Sequence, residues 1–253
     1  MITNVGDVEA FLDGFFLYVG GDRIDKEIPT NVTFNNADYK VDFLRLIIEL
    51  KSLEVSQFET EPTLQKLFDT HKSQFDYLTS AEAKLIAPRE LARQTLIRLS
   101  QDIEKVAYSR LKKLVSKANK QIKETKINIH LNNYCGTLWI VNENNLYLTV
   151  KNQINIISRI LESDQFSSID CVILLNLNMG ITNSKESPPH LYWIPIFRKN
   201  SNDAIWNGVH YIGHCWQEYI RENFSIPKEI KSICGDGDIE YLTEFKNVKY
   251  SKQ

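Results

Sequence analysis

The strongest candidate for chemistry in this sequence is Asp38 followed, after ten intervening residues, by Glu49-Leu50-Lys51. Residues i and i+2 of a strand face the same side, so a strand over 44–53 projects Glu49 and Lys51 together and turns Ile48 and Leu50 into the core. The run Leu46-Ile47-Ile48 marks that strand as buried on both faces. Charged groups within such a strand are expensive to bury unless they are partnered. A neighbouring strand carrying Asp38 would bring a second carboxylate alongside Glu49. Two carboxylates and the backbone carbonyl of Leu50 form an all-oxygen site of the kind Mg²⁺ takes while retaining several waters. Lys51 would then orient or deprotonate an attacking water, or stabilise charge developing on a phosphate.

Glu-x-Lys alone carries little information, because it begins at Glu49, Glu82, Glu124, Glu229 and Glu244. Only the Glu49 copy follows an apolar strand with an Asp at a suitable distance before it. The bland reading of that copy is an edge-strand Glu/Lys pair worth a few tenths of a kcal/mol, roughly; the apolar Leu46-Ile47-Ile48 run speaks for a central strand instead. Asp42, seven residues before Glu49, competes with Asp38 for the carboxylate role. A turn near Phe43-Leu44-Arg45 would leave Asp42 at the hairpin end and Asp38 across from Glu49 or Ile48, which favours Asp38.

The stretch 36–51 resembles the core motif of the PD-(D/E)XK, or restriction-endonuclease-like, nuclease superfamily. Asp38 matches the motif's Asp, and Glu49 and Lys51 match its E-x-K; Ala37 stands before Asp38, where Pro is common. The resemblance implies an α-β-β-β-α-β core and hydrolysis of phosphodiester bonds dependent on Mg²⁺ or Mn²⁺, with nucleic acid, DNA foremost, as partner. It also implies Asp38, Glu49 and Lys51 as catalytic residues, with Asp38, Glu49 and the Leu50 carbonyl as metal ligands. Glu9 on the first helix is a candidate further ligand, since some members supply a carboxylate there; an exposed helical Glu is the competing reading. Residues 116–126 resemble the helical motif that follows the catalytic strand in exonuclease-like members, where a Gln faces the metal. Lys117, Lys120 and Gln121 would there contact phosphates, against the alternative of a solvated polar face.

The elements that must position these residues are legible from periodicity. Val5–Val19 has helical spacing, with Gly20-Gly21 ending it; Asn31–Phe34 and Tyr39–Phe43 read as short strands. Pro62 opens a helix to about Leu78. Pro88 opens a period near 3.6 that runs to Lys126, as one helix of ~55 Å or two with a break. Strands over 136–142, 169–177 and 190–198 alternate with helices over 150–161 and 208–223. The expected fold is therefore α/β: a restriction-endonuclease-like core with a mixed central sheet flanked by helices and a long basic helix. One domain is expected over 1–253, with a basic helical segment at 84–126.

Charge is distributed unevenly. Residues 1–83 carry 7 Lys+Arg against 15 Asp+Glu, and residues 84–126 carry 12 against 4, within a net charge of -2. The basic segment suits a polyanion, or simply solvates one helix face. With 43% hydrophobic and 25% charged residues, composition excludes a disordered or collagen-like chain. The longest apolar stretches fall short of the ~20 residues that span a bilayer, so no membrane partner is expected. Four widely spaced cysteines and the lack of a signal-like N-terminus lead to the expectation of a cytoplasmic protein, with a homodimer or larger assembly left open.

Other signals fall away. His210 and His214 could hold zinc four residues apart, but Tyr211 stands where a zinc hydrolase needs Glu. Asp236-Gly237-Asp238 lacks the rest of a calcium loop. His71 and His130 have no evident partners, and Tyr192-Trp193 suit packing better than base stacking. No nucleotide-fold glycine motif or nucleophile elbow occurs. The function expected is a metal-dependent nuclease. The alternative is a catalytically inactive protein of the same fold, serving as a nucleic-acid-binding or scaffolding subunit.

Overall fold

The strand expected over 44–53 lies inside a six-stranded mixed sheet in the computed structural model of the chain. Residues 5, 7–28, 34–53, 89–143, 148–177, 179–182, 191–199, 201–224 and 244–247 are described, together with positions 62, 66, 69, 72 and 76. In chain order the elements are α1 (Val8–Tyr18), β1 (Asp22–Arg23), β2 (Tyr39–Val41), β3 (Leu46–Leu53), α2 (Arg89–Asn128), β4 (Cys135–Asn142), α3 (Val150–Leu161), β5 (Cys171–Asn176), β6 (Met179–Thr182), β7 (Trp193–Phe197), α4 (Asp203–Asn223) and β8 (Glu244–Asn247). The sheet runs β1-β2-β3-β4-β5-β7, and β6 pairs with β8 in a separate two-stranded sheet. Strands β1, β2 and β3 are antiparallel in succession, β4 and β5 continue parallel to β3, and β7 returns antiparallel.

Strand alternation sorts the sheet residues into two layers of core. Ile47, Leu138, Ile140, Val172 and Leu174 pack against Leu111, Val115, Ala118 and Ile122 of α2 and Ile156, Ile157 and Ile160 of α3. On the opposite face, Ile48, Trp139, Val141, Ile173 and Leu175 meet Leu12, Phe15 and Phe16 of α1 and Val209, Ile212 and Trp216 of α4. The sheet is therefore covered on both faces, the condition under which a strand reads as a continuous apolar run.

Caps written in the sequence set the helix starts. The side chain of Asp7 accepts from the Ala10 N–H, that of Thr149 from Asn152 and that of Asn202 from Ile205. The stretch expected as one helix or two is a single α2 of 40 residues, ~60 Å at 1.5 Å per residue. Pro88 itself lies outside the described residues. The strand expected over 39–43 stops at Val41, because Asp42–Leu44 turn as a 3-10 helix and Arg45 takes φ 51°. Of the strand expected over 31–34, only Phe34 is described, and it is irregular. The helix expected from Pro62 to Leu78 falls outside the described residues except at five positions. Short β1, β6 and β8 were not anticipated; β1 has two residues and no alternation to detect. Among the described residues no helix is long and apolar enough to cross a membrane.

Candidate active site

Register decides which carboxylate meets Glu49. Tyr39 pairs with Ile48, Lys40 with Ile47 and Val41 with Leu46, so one step beyond the ladder Asp38 stands opposite Glu49. The Asp38 N–H donates to the Ile48 carbonyl at 3.0 Å, and its carbonyl accepts from Ile24 N–H at 3.0 Å. Its carboxylate turns to β3, where Oδ2 accepts from the Leu50 N–H at 2.7 Å. The N–H and C=O of one strand residue point to the same edge, which carries the Leu50 carbonyl toward Asp38. Asp42 sits at the turn instead, accepting from Lys40 Nζ at 3.0 Å and from the Tyr134 hydroxyl at 2.9 Å.

Glu49 and Lys51 project from the sheet face that α2 and α3 cover, in line with Ile47 and Leu53. Glu49 is 0% exposed and Lys51 20% exposed at the side chain, and the Lys51 ammonium contacts Glu49 Oε1. The second oxygen, Oε2, is buried with no hydrogen-bond partner among the described residues. Burial pushes the Glu49 carboxyl up to about 8; the Asp38 charge adds to this and the Lys51 ammonium opposes it. Burial likewise raises Asp38, against the Leu50 N–H and Lys51. The two carboxyls lie near enough to share a hydrogen bond when Glu49 is protonated, as paired acids do when both cannot ionise together. Half-buried Asp38 and partly exposed Lys51 give the cluster its access to solvent.

The donors fit a small, hard divalent cation. Oε2 of Glu49, the Asp38 carboxylate and the Leu50 carbonyl are oxygens, and Mg²⁺ takes one or two carboxylates and keeps waters. No group of three or more His, Cys, Asp or Glu able to hold a metal occurs among the described residues, so a site here uses two carboxylates and the backbone.

Glu9 does not join this cluster. It pairs with Arg23, whose Nε donates to Asp13 at 2.7 Å, and Asp13 also accepts from the Tyr39 hydroxyl. This network lies beside α1, where Asp13, Phe16, Arg23 and Tyr39 help line a cavity of about 220 Å³; Tyr39 belongs to the opposite core layer. Gln121 does reach the Asp38 segment: its Nε2 donates to the Asn36 carbonyl at 3.0 Å, leaving Oε1 buried without a partner among the described residues. Lys117 and Lys120 are exposed on the same helical turns, Lys120 3.6 Å from Glu124. Lys117 precedes Gln121 by four residues on one stripe, ~6 Å along the axis.

Glu124 and Thr125 escaped the sequence reading. Glu124 accepts from Asn35 N–H at 3.0 Å, and Thr125 Oγ1 from Ala37 N–H at 2.8 Å. Their spacing from Gln121, three and four residues, was the available signal. Among the discounted residues, Tyr192 is buried, Trp193 meets Trp139 edge-on, the His210 ring lies tilted against Trp206, and exposed His214 lies 3.4 Å from Glu218; His71 and residues 236–238 lie outside the described residues. Compared with known proteins, the chain matches no family model, no curated protein and no solved structure.

Proposed function

We propose that the protein is a metal-dependent nuclease that hydrolyses phosphodiester bonds, with DNA the first substrate to test. The observation that carries this reading is a carboxylate opposite a wholly buried carboxylate, near enough to share a proton with it, whose second oxygen meets no other hydrogen-bond partner among the described residues, with an ammonium two residues on along the same face. Ionising two adjacent buried carboxyls together is costly, and a divalent cation between them offsets that cost. The order α1, β1, β2, β3, α2, β4, with β4 parallel to β3, supports a restriction-endonuclease-like core.

Asp38, Glu49 and the Leu50 carbonyl would hold Mg²⁺ or Mn²⁺. A bound cation polarises a phosphoryl oxygen and acidifies water. Lys51, held by Glu49, orients the attacking water or donates to the charge developing on phosphate. Lys117 and Lys120 take backbone phosphates, contacts that position without reading sequence.

The test is incubation with plasmid, single-stranded DNA and RNA in Mg²⁺, Mn²⁺ or EDTA. EDTA-sensitive cleavage that disappears in Lys51→Ala is expected, with a loss of about 10²-fold or more. Cleavage by Lys51→Ala at the normal rate removes Lys51 from the mechanism. Retention of nucleic acid without cleavage assigns the second reading, a non-catalytic binding or scaffolding subunit, which the complete exclusion of Glu49 from solvent favours.

A further inference from the structure

Residues 35–37 belong to no strand, yet the residue that follows them must place a carboxylate within reach of Glu49. The side chains that hold them come from one turn of α2. The Asn35 N–H donates to Glu124 Oε2 at 3.0 Å, Gln121 Nε2 donates to the Asn36 carbonyl at 3.0 Å, and the Ala37 N–H donates to Thr125 Oγ1 at 2.8 Å. Thr125 and Ala37 are both 0% exposed, so this last bond has no competing water. On the same helix, Ala118 and Ile122 pack into the core beneath the sheet and hold α2 in place.

We propose that Gln121, Glu124 and Thr125 are positioning residues that clamp the segment before Asp38 and thereby fix its carboxylate on the Leu50 N–H, opposite Glu49. The β2–β3 ladder begins at Tyr39 and the Asp38 backbone is tied to Ile48 and Ile24, so the part of the clamp is to fix the three residues that lead into Asp38. Thr125 is the centre of it, because its bond is the buried one. Glu124 adds a link outward: Oε2 holds Asn35 while Oε1 lies 3.6 Å from exposed Lys120. The basic helix and the acidic segment are thus mechanically one unit, and an anion drawn to Lys120 competes for its ammonium with the same carboxylate that steadies Asn35. The catalytic meaning of the clamp rests on the nuclease reading; the placement of Asp38 does not.

The test uses the full chain without metal and reads the Leu50 amide, which donates to Asp38. Thr125→Val keeps the branched shape and removes the acceptor, and Thr125→Ser keeps the acceptor. Amide hydrogen exchange at Leu50 is expected to speed up about tenfold in Thr125→Val, the factor for one net hydrogen bond. Val172, across the sheet, should exchange as before, and Thr125→Ser should match the unaltered chain. Mn²⁺ binding, read by water-proton relaxation, should weaken about tenfold in Thr125→Val and be retained in Thr125→Ser. Unchanged Leu50 exchange in Thr125→Val overturns the clamp, as does equal behaviour of the Val and Ser variants. If the unaltered chain binds no Mn²⁺ while Leu50 still responds, the metal reading fails and the clamp stands. Should Thr125→Val not fold, Glu124→Ala gives the same readout, with faster exchange at Leu50 expected and unchanged exchange counting against the clamp.

Discussion

Replacing Glu49 by Gln should change how stability depends on pH, and the size of the change follows from burial. An ordinary Glu carboxyl titrates near 4.5, whereas Glu49 is pushed up to about 8. The folded chain therefore holds this proton more tightly than the unfolded chain does. Folding takes up a proton between these values, and stability falls as pH rises from about 4.5 through 8. The steepest slope is ~1.4 kcal/mol per pH unit, and across the window the loss reaches about 5 kcal/mol as a ceiling. Against a total stability of about 5–15 kcal/mol, that is large. Glu49→Gln abolishes this contribution. The variant should therefore gain on the unaltered chain steadily from pH 5 to 8, less about 1–3 kcal/mol for an imperfectly bonded buried amide. Urea unfolding in EDTA at pH 5 to 9 measures both curves, and their difference reports Glu49 together with its coupling to Asp38. Mg²⁺ should flatten the curve of the unaltered chain at high pH, by about 2.7 kcal/mol at a hundred times its dissociation constant. A difference curve that stays flat from pH 5 to 8 refutes the reasoning, because Glu49 would then titrate alike in both states.

Asp38→Asn should abolish cleavage and Mn²⁺ binding, while Asp42→Asn should leave both and cost less than about 1 kcal/mol, since Asp42 bonds only at the exposed turn; binding isotherms and cleavage assays decide, and the reverse pattern would shift the site to Asp42. Lys117→Ala combined with Lys120→Ala should weaken nucleic-acid binding for all sequences alike and lower the slope of log affinity against log salt by about 2, so an unchanged slope takes α2 off the phosphate path. Gly136→Ala should destabilise by about 3 kcal/mol, because a Cβ there would lie 2.1 Å from the Ser168 carbonyl oxygen and 2.7 Å from Ile122. A melting temperature within a degree of the unaltered chain would show that this backbone yields.

Much of the sheet was legible because its strands are buried on both faces. Leu46-Ile47-Ile48 and the apolar run from Cys171 read better as central strands than as edges, and both lie inside the sheet. The bounds of α3 came out at Val150–Leu161 as expected, since Thr149 caps the start and the 3.6 period runs unbroken. The preference for Asp38 over Asp42 followed from guessing the turn, and the 3-10 turn with left-handed Arg45 makes it. The role given to Glu9 came from a helix seen without its surroundings; Arg23, Asp13 and Tyr39 claim that side of α1.

Residue type and period alone determined the layering of the chain, the one face shared by Glu49 and Lys51, and the concentration of positive charge along α2. Those are local properties, set within a few residues by strand alternation and helical pitch. Only the tertiary structure decided that Glu49 is wholly buried, that Asp38 is set beside it, and that Gln121, Glu124 and Thr125 grip the segment leading into Asp38. Burial and grip depend on residues some 85 positions apart being pressed together, and no spacing rule within one element encodes a contact made across that distance.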